Sequence, residues 1–184
     1  MITKRVICSI IVLATACSFA VAVPVSVGTG VNTAGVYIEW SDGFIAEFEV
    51  SFGESPADTV TGAYLMLTLD SELTDFTFEY TNWGSPEQPD LFIDGLGYQG
   101  HYDGGFGGGD DWWHYWLKDA GQGEWSSPMY GMSNRTVADA DMDGWIYGRG
   151  GAPLPEPATI ALMVAGAIML HRNKLSRSAV KAKR

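Results

Sequence analysis

The first legible pattern in the chain is an alternation over residues 36–52. Val36, Ile38 and Trp40 alternate with Tyr37 and Glu39, Ser41-Asp42-Gly43 turns the chain, and Phe44, Ala46, Phe48, Val50 and Phe52 alternate with Ile45, Glu47, Glu49 and Ser51. A period of two sends successive side chains to opposite faces of a strand, so the segment predicts a hairpin with one face in a core and one in water. Ser55-Pro56-Ala57-Asp58 then carries the marks of a helix start: a capping serine, a proline in the first turn, and an acid where a capping box places one. Val60, Tyr64 and Leu67 come next at helical spacing, although Gly62 weakens that pattern and residues 65–69 also alternate as a strand. Residues 76–80 alternate again, 91–93 form a short apolar run, and Gly95, Gly97 and Gly100 break the pattern beyond it. One helix among about seven short strands predicts an α+β fold, a small antiparallel β-rich domain.

Residues 104–119, GGFGGGDDWWHYWLKD, place five glycines around Phe106 ahead of an aromatic strand. Glycine loses much backbone freedom on ordering, so the run predicts a flexible loop. In the strand, Trp112, His114 and Trp116 fall on one face, and Trp113, Tyr115 and Leu117 on the other. Trp125, Tyr130, Trp145 and Tyr147 add further rings. Trp112, Trp113, Tyr115, Trp116 and Trp125 are the candidate ligand-binding residues, as a stacking platform for a sugar or another planar ligand. The alternative is core packing, because alternation turns half the rings inward whatever the function. His114 has no second histidine at ligand spacing.

Asp139, Asp141 and Asp143, with Gly144 next in the chain, match the opening of a calcium loop, with carboxylates at its first, third and fifth places and glycine at the sixth. The twelfth place is Gly150, where such a loop needs a bidentate glutamate. Asp143-Gly144 also reads as a plain hairpin turn.

Composition changes the picture at the ends. Lys4 and Arg5 precede the apolar residues 6–19, and Ala20-Val21-Ala22 supplies a small-x-small cleavage pattern, so residues 1–22 read as a signal peptide. Ala14-Thr15-Ala16-Cys17 is a weaker lipoprotein-like alternative. Both cysteines, Cys8 and Cys17, lie in this leader, which leaves the mature chain without a disulfide framework or a thiolate metal site. Residues 23–155 hold 21 acidic residues against three basic ones, Lys118, Arg135 and Arg149, a net charge of −18. Such a surface repels nucleic acid and anionic headgroups. Residues 171–184, by contrast, carry six basic residues and no acid. Between them, residues 158–170 are 13 uncharged, mostly apolar residues, a helix of only about 20 Å against roughly 30 Å of hydrocarbon. Arg172, Lys174 and Arg177 after it set its orientation by the positive-inside rule. Pro155 and Pro157 keep the backbone around Glu156 extended and out of any helix.

Pro155-Glu156-Pro157-Ala158-Thr159, the apolar stretch and the basic cluster together resemble the PEP-CTERM sorting signal of Gram-negative bacteria. That resemblance implies recognition by an exosortase in the inner membrane, cleavage near the motif, and transfer of the domain to the cell surface or extracellular matrix. Pro155, Glu156, Pro157, Arg172 and Lys174 are then the sorting residues. The implied organisation is a signal peptide at 1–22, an exported domain at 23–152, a sorting signal with a transmembrane helix at 153–177, and a basic tail at 178–184. A second resemblance runs through the helix candidate near 60–69, Leu91-Phe92-Ile93-Asp94-Gly95, Trp113-His114-Tyr115-Trp116 and residues 137–145. It is similar to the small β-grasp-like domain at the carboxy end of transcobalamins and their bacterial relatives. This implies a β-grasp-like α+β fold and a surface for a large planar ligand such as a cobalamin.

The chain has no Gly-x-Ser-x-Gly, no phosphate loop and no Cys/His dyad, and Asp110-Asp111 abut without reason to differ in pKa. The expected function is therefore a noncatalytic, exported surface or matrix protein that contacts polysaccharide through exposed rings. A small planar-ligand module and a secreted glycan-active enzyme are the alternatives. Calcium is the one cofactor the spacing suggests.

Overall fold

The computed structural model describes residues 24–105 and 111–153. In chain order these form β1 (Val25–Gly28), β2 (Asn32–Glu39), β3 (Ile45–Phe52), β4 (Val60–Thr61), α1 (Gly62–Glu72), β5 (Phe76–Asn82), β6 (Leu91–Tyr98), β7 (His101–Gly104), β8 (Trp113–Lys118), a 3-10 turn (Met132–Asn134), β9 (Thr136–Val137) and β10 (Met142–Tyr147). The domain is β-rich with one α-helix among the described residues. The expected signal helix, the glycine run at 106–110 and the sorting segment with its apolar stretch lie outside them. No helix among the described residues is long and apolar enough to cross a membrane.

The alternation over 36–52 is realised as the antiparallel pair β2 and β3, with Val36 opposite Phe48 and Ile38 opposite Ala46. The turn closes where Gly43, at φ +83°, donates its N–H to the Trp40 carbonyl at 3.0 Å. Val36, Ile38, Trp40, Phe48, Val50 and Phe52 are all buried, each worth about 1.5–3 kcal/mol when removed from water.

The five-stranded sheet around this hairpin has the order β1-β3-β2-β10-β8. It is mixed, which corrects the expectation of an antiparallel domain. β1 runs parallel to β3, and β10 runs parallel to β2 while pairing antiparallel with β8. The reason lies in the crossover: α1 and a second, three-stranded antiparallel sheet of β5-β6-β7 intervene in sequence between β2 and β10. Local hairpin signals cannot report a pairing made over that distance.

Helix α1 starts later than the capping pattern suggests. Asp58 does cap, but it caps a turn, accepting the N–H groups of Glu54 and Ser55 at 2.8 and 2.9 Å. The chain then stays extended because Val60 and Thr61 pair with Val137 and Thr136. The helix N-cap is Thr61, whose hydroxyl accepts the Tyr64 N–H at 3.2 Å. Its buried stripe is Ala63, Leu65, Met66 and Leu69, while Tyr64 and Leu67 are 41% and 39% exposed. Of the Val60, Tyr64, Leu67 spacing, Val60 thus lies in β4 and packs against the core, while Tyr64 and Leu67 fall on the wetter side of the helix. Two apolar stripes at helical spacing compete in this segment, and packing against the sheet selects the other.

Gly95 and Gly97, read as breakers, lie inside β6 opposite Glu79 and Thr77. Strand glycines of this kind mark a place where another group approaches the backbone closely. That group is Tyr102: a Cβ on Gly95 would stand 2.5 Å from its hydroxyl, and one on Gly97 3.2 Å from its ring.

Candidate functional site

Strand β8 is the edge of the large sheet, and its two faces have different fates. Trp113 and Leu117 are buried, and Tyr115 between them is half-buried. The Trp113 ring meets Trp40 edge-on at 6.1 Å and Tyr147 at 5.2 Å. Tyr115 stacks on Trp145 at 4.3 Å and 15°, directly across the β8–β10 pair. Packing fixes these rings: Trp40, Trp113 and Trp145 belong to the core, and Tyr115 and Tyr147 lie against it.

Against this edge lies a cleft of about 210 Å³. One wall is the start of β6, residues 91–93; a second is the loop at 127–132; the third is formed by Trp112, Trp113, His114 and Tyr115, with Trp145 behind them. The loop is tied down where the Leu91 N–H donates to the Ser133 hydroxyl at 2.8 Å. Floor and rim differ: Trp113, Trp145, Ile93 and Met132 are buried, whereas Trp112, Phe92 and Tyr130 are 40%, 41% and 47% exposed. Trp112 leans on His114 with ring centres 3.9 Å apart. Two polar atoms of lining residues, Trp145 Nε1 and His114 Nε2, are buried and find no hydrogen-bond partner among the described residues.

The five sequence candidates therefore divide. Trp112, Trp113 and Tyr115 line the cleft; Trp116 and Trp125 do not. Trp116 lies opposite Gly144 in the register, and Trp125 covers Gly144 so closely that a Cβ there would be 3.0 Å from its ring. Trp125 also lies 6.3 Å from Tyr37, with the Lys118 ammonium 5.2 Å over its ring. Together with buried Pro153 it closes the second face of the sheet. Phe92, Tyr130 and Trp145 complete the cleft from distant segments. Only their aromatic character was available in the sequence to find them.

Asp139, Asp141 and Asp143 do not converge, and among the described residues no group of three or more His, Cys, Asp or Glu side chains is placed to hold a metal ion. Asp139 accepts the Thr33 N–H at 2.8 Å. Asp141 accepts from the Ala120 N–H, the Ala138 N–H and Arg135 at 2.8, 2.9 and 3.0 Å. Asp143 accepts the Tyr115 hydroxyl at 2.8 Å and faces Arg135 Nε at 3.6 Å. Arg135 takes the place between Asp141 and Asp143 that the spacing offered to calcium, and Asp119 meets the same guanidinium at 2.8 Å. Asp143-Gly144 is no turn either, since both residues sit within β10; the bend falls earlier, where Ala140 adopts φ +63°.

This cluster is buried, with Arg135, Asp141 and Asp143 at most 6% exposed. Burial works against the Arg135 charge, but Asp143, Asp141 and Asp119 outweigh it and raise its pKa. Burial pushes the Asp143 carboxyl up to about 6, against the opposing pull of the Tyr115 hydroxyl and Arg135. Burial and then Asp143 raise the Tyr115 phenol well above its ordinary value.

A carboxyl that holds its proton more tightly folded than unfolded adds stability at low pH. That contribution is complete below the ordinary value of 3.8 and is lost as pH rises through about 6. Urea unfolding at closely spaced pH should therefore show native stability falling over this interval, by on the order of 2–3 kcal/mol from this group. Asp143→Asn should flatten that part of the curve. Parallel curves for the two proteins would refute the assignment.

All three cations of residues 23–155 are engaged: Arg135 in the cluster, Lys118 over Trp125, and Arg149 on Glu39 at 2.7 Å. No protein-family model, curated protein or solved structure matches the chain.

Proposed function

We propose that the chain is a noncatalytic, exported protein of the cell surface or extracellular matrix whose folded domain binds a neutral sugar ring in the β8-edge cleft. The observation that carries this reading is the cleft itself, with a fixed aromatic floor and an exposed aromatic rim. Such faces stack on the C–H side of a sugar ring, while the few polar atoms along the walls meet its hydroxyls. The domain's acidic excess disfavours anionic polymers. Export and sorting rest on the signal-like leader and the Pro155-Glu156-Pro157 segment, with an exosortase as partner, passage through the inner membrane, and release to the surface of a Gram-negative cell.

Among the described residues no Asp or Glu lines the cleft, which favours a binding reading over glycoside hydrolysis at this site. The strand order β3-β2-β10-β8, with its parallel central pair and α1 following the first hairpin, favours the β-grasp-like reading. Size argues against a cobalamin-like ligand, since about 210 Å³ falls below the roughly 300–1,000 Å³ of sites for larger organic molecules.

A glycan array run beside a cobalamin titration tests the proposal. Wild-type protein should bind neutral glycans, and Trp112→Ala or Tyr130→Ala should weaken binding about tenfold while leaving thermal stability nearly unchanged, because both rings are rim residues. Cobalamin binding without glycan binding, or glycan binding indifferent to both substitutions, would overturn it.

A further inference from the structure

The outer face of the β5-β6-β7 sheet is built differently from the rest of the surface. Tyr102, 54% exposed, lies across the sheet on a bed of glycines. A Cβ on Gly95 or Gly104 would stand 2.5 Å from its hydroxyl, and one on Gly97 3.2 Å from its ring. One face of the ring is thus pressed on backbone and the other is open. Its hydroxyl donates to Glu79 Oε2 at 2.7 Å, which fixes the ring in that pose.

Further along the same face, the register slips between Glu79 and Tyr80, so that Gly95 opposes Glu79 and Ile93 opposes Tyr80. Asp94 is the extra residue of this bulge. Such a bulge turns Asp94 outward beside Gly95 while Ile93 remains buried and Phe92 is exposed. The Thr81 hydroxyl donates to Asp94 Oδ2 at 2.7 Å, and Thr81 lies opposite Phe92. The face therefore carries Tyr102, then Glu79 and Asp94, then Phe92. Phe92 also lines the cleft.

We propose that this face continues the cleft as an open track, and that the ligand is an extended, neutral polysaccharide chain. This inference rests on the reading of the cleft as a sugar site. Tyr102 stacks on one sugar ring of the chain and Phe92 on another, while Glu79 and Asp94 accept bonds from hydroxyls between them. A ring already immobilised by Glu79 and the glycine bed loses little freedom on binding, which favours a stacking role. Carboxylates along the track, on a domain whose three cations are all engaged, select against uronate or sulfate polymers.

The test is binding to a ladder of neutral gluco-, manno-, galacto- and xylo-oligosaccharides of one to six units, with polyuronate and sulfated polymers alongside. Affinity should rise with chain length in at least one neutral series. Tyr102→Ala should remove about tenfold from the hexamer and leave the shortest ligands unaffected, whereas Tyr102→Phe, which keeps the ring, should retain most of the hexamer affinity. Trp112→Ala should weaken short and long ligands alike. If Tyr102→Ala binds the hexamer as the wild type does, the track is refuted and the cleft stands. If wild-type protein binds no neutral oligosaccharide of any length, or only the anionic polymers, both fall.

Discussion

Replacement of Arg135 by methionine is expected to destabilise the domain by about 3–5 kcal/mol, the largest loss among single substitutions away from the apolar core. The guanidinium is buried and touches Asp141 and Asp119 at 3.0 and 2.8 Å, with Asp143 at 3.6 Å. Removing it leaves Asp141 and Asp143 sealed from water with no cation, which costs far more than a surface pair is worth. Against a total stability of about 5–15 kcal/mol for an ordinary domain, such a loss puts much of the protein near its unfolding threshold at room temperature. The loss should shrink on acidification. Asp143 takes up a proton near pH 6 even with Arg135 present, and a neutral carboxyl has less need of the partner. Chemical unfolding of Arg135→Met at pH 5 and pH 8 checks both parts. A deficit under about 1 kcal/mol, the worth of an exposed pair, or one equal at the two pH values, would show that the cluster is not coupled as the geometry indicates.

The second large effect is expected at the other end of the chain. Changing Glu156 to Ala should abolish carboxy-terminal processing, so that the full-length chain accumulates in the membrane fraction. In the sequence two prolines flank this one carboxylate, ahead of a 13-residue apolar run shorter than the roughly 20 residues a spanning helix needs. Cell fractionation with intact-mass measurement of exported material reads the outcome. Unchanged processing of Glu156→Ala, or wild-type material that retains residues 158–184 outside the cell, would remove the sorting proposal.

Particular residues show how far the sequence could be read. The β2–β3 hairpin was legible because alternation is a local property, and its side chains meet the core as their period requires. Asp143-Gly144 misled because Asp-Gly is a strong turn signal, yet Gly144 is needed in mid-strand to let Trp125 and Pro153 settle on the backbone. Gly95 and Gly97 misled for the same reason, since nothing local announces that Tyr102 will lie over them. Of the site, the aromatic strand could be found and its side chains divided between two faces, but alternation alone does not say that the face of Trp113 and Leu117 is the buried one. The opposing walls, near 91–93 and 127–132, join it only through tertiary packing. The role of Arg135 was hidden because a lone arginine 16 residues after Asp119 and six before Asp141 has no spacing signature.

The parallel pairing of β2 with β10 ties residues 32–39 to residues 142–147 at the middle of the large sheet. Closing a loop of that length is slow, and the strands on either side have no complete sheet to join until it closes. A chain emerging from its amino end would therefore form the β2–β3 hairpin and the β5-β6-β7 sheet first, and would lack the centre of the large sheet until β10 is free to pair. The large sheet is complete only once its last-made strand is available, an order of events that would suit the export proposed for the chain.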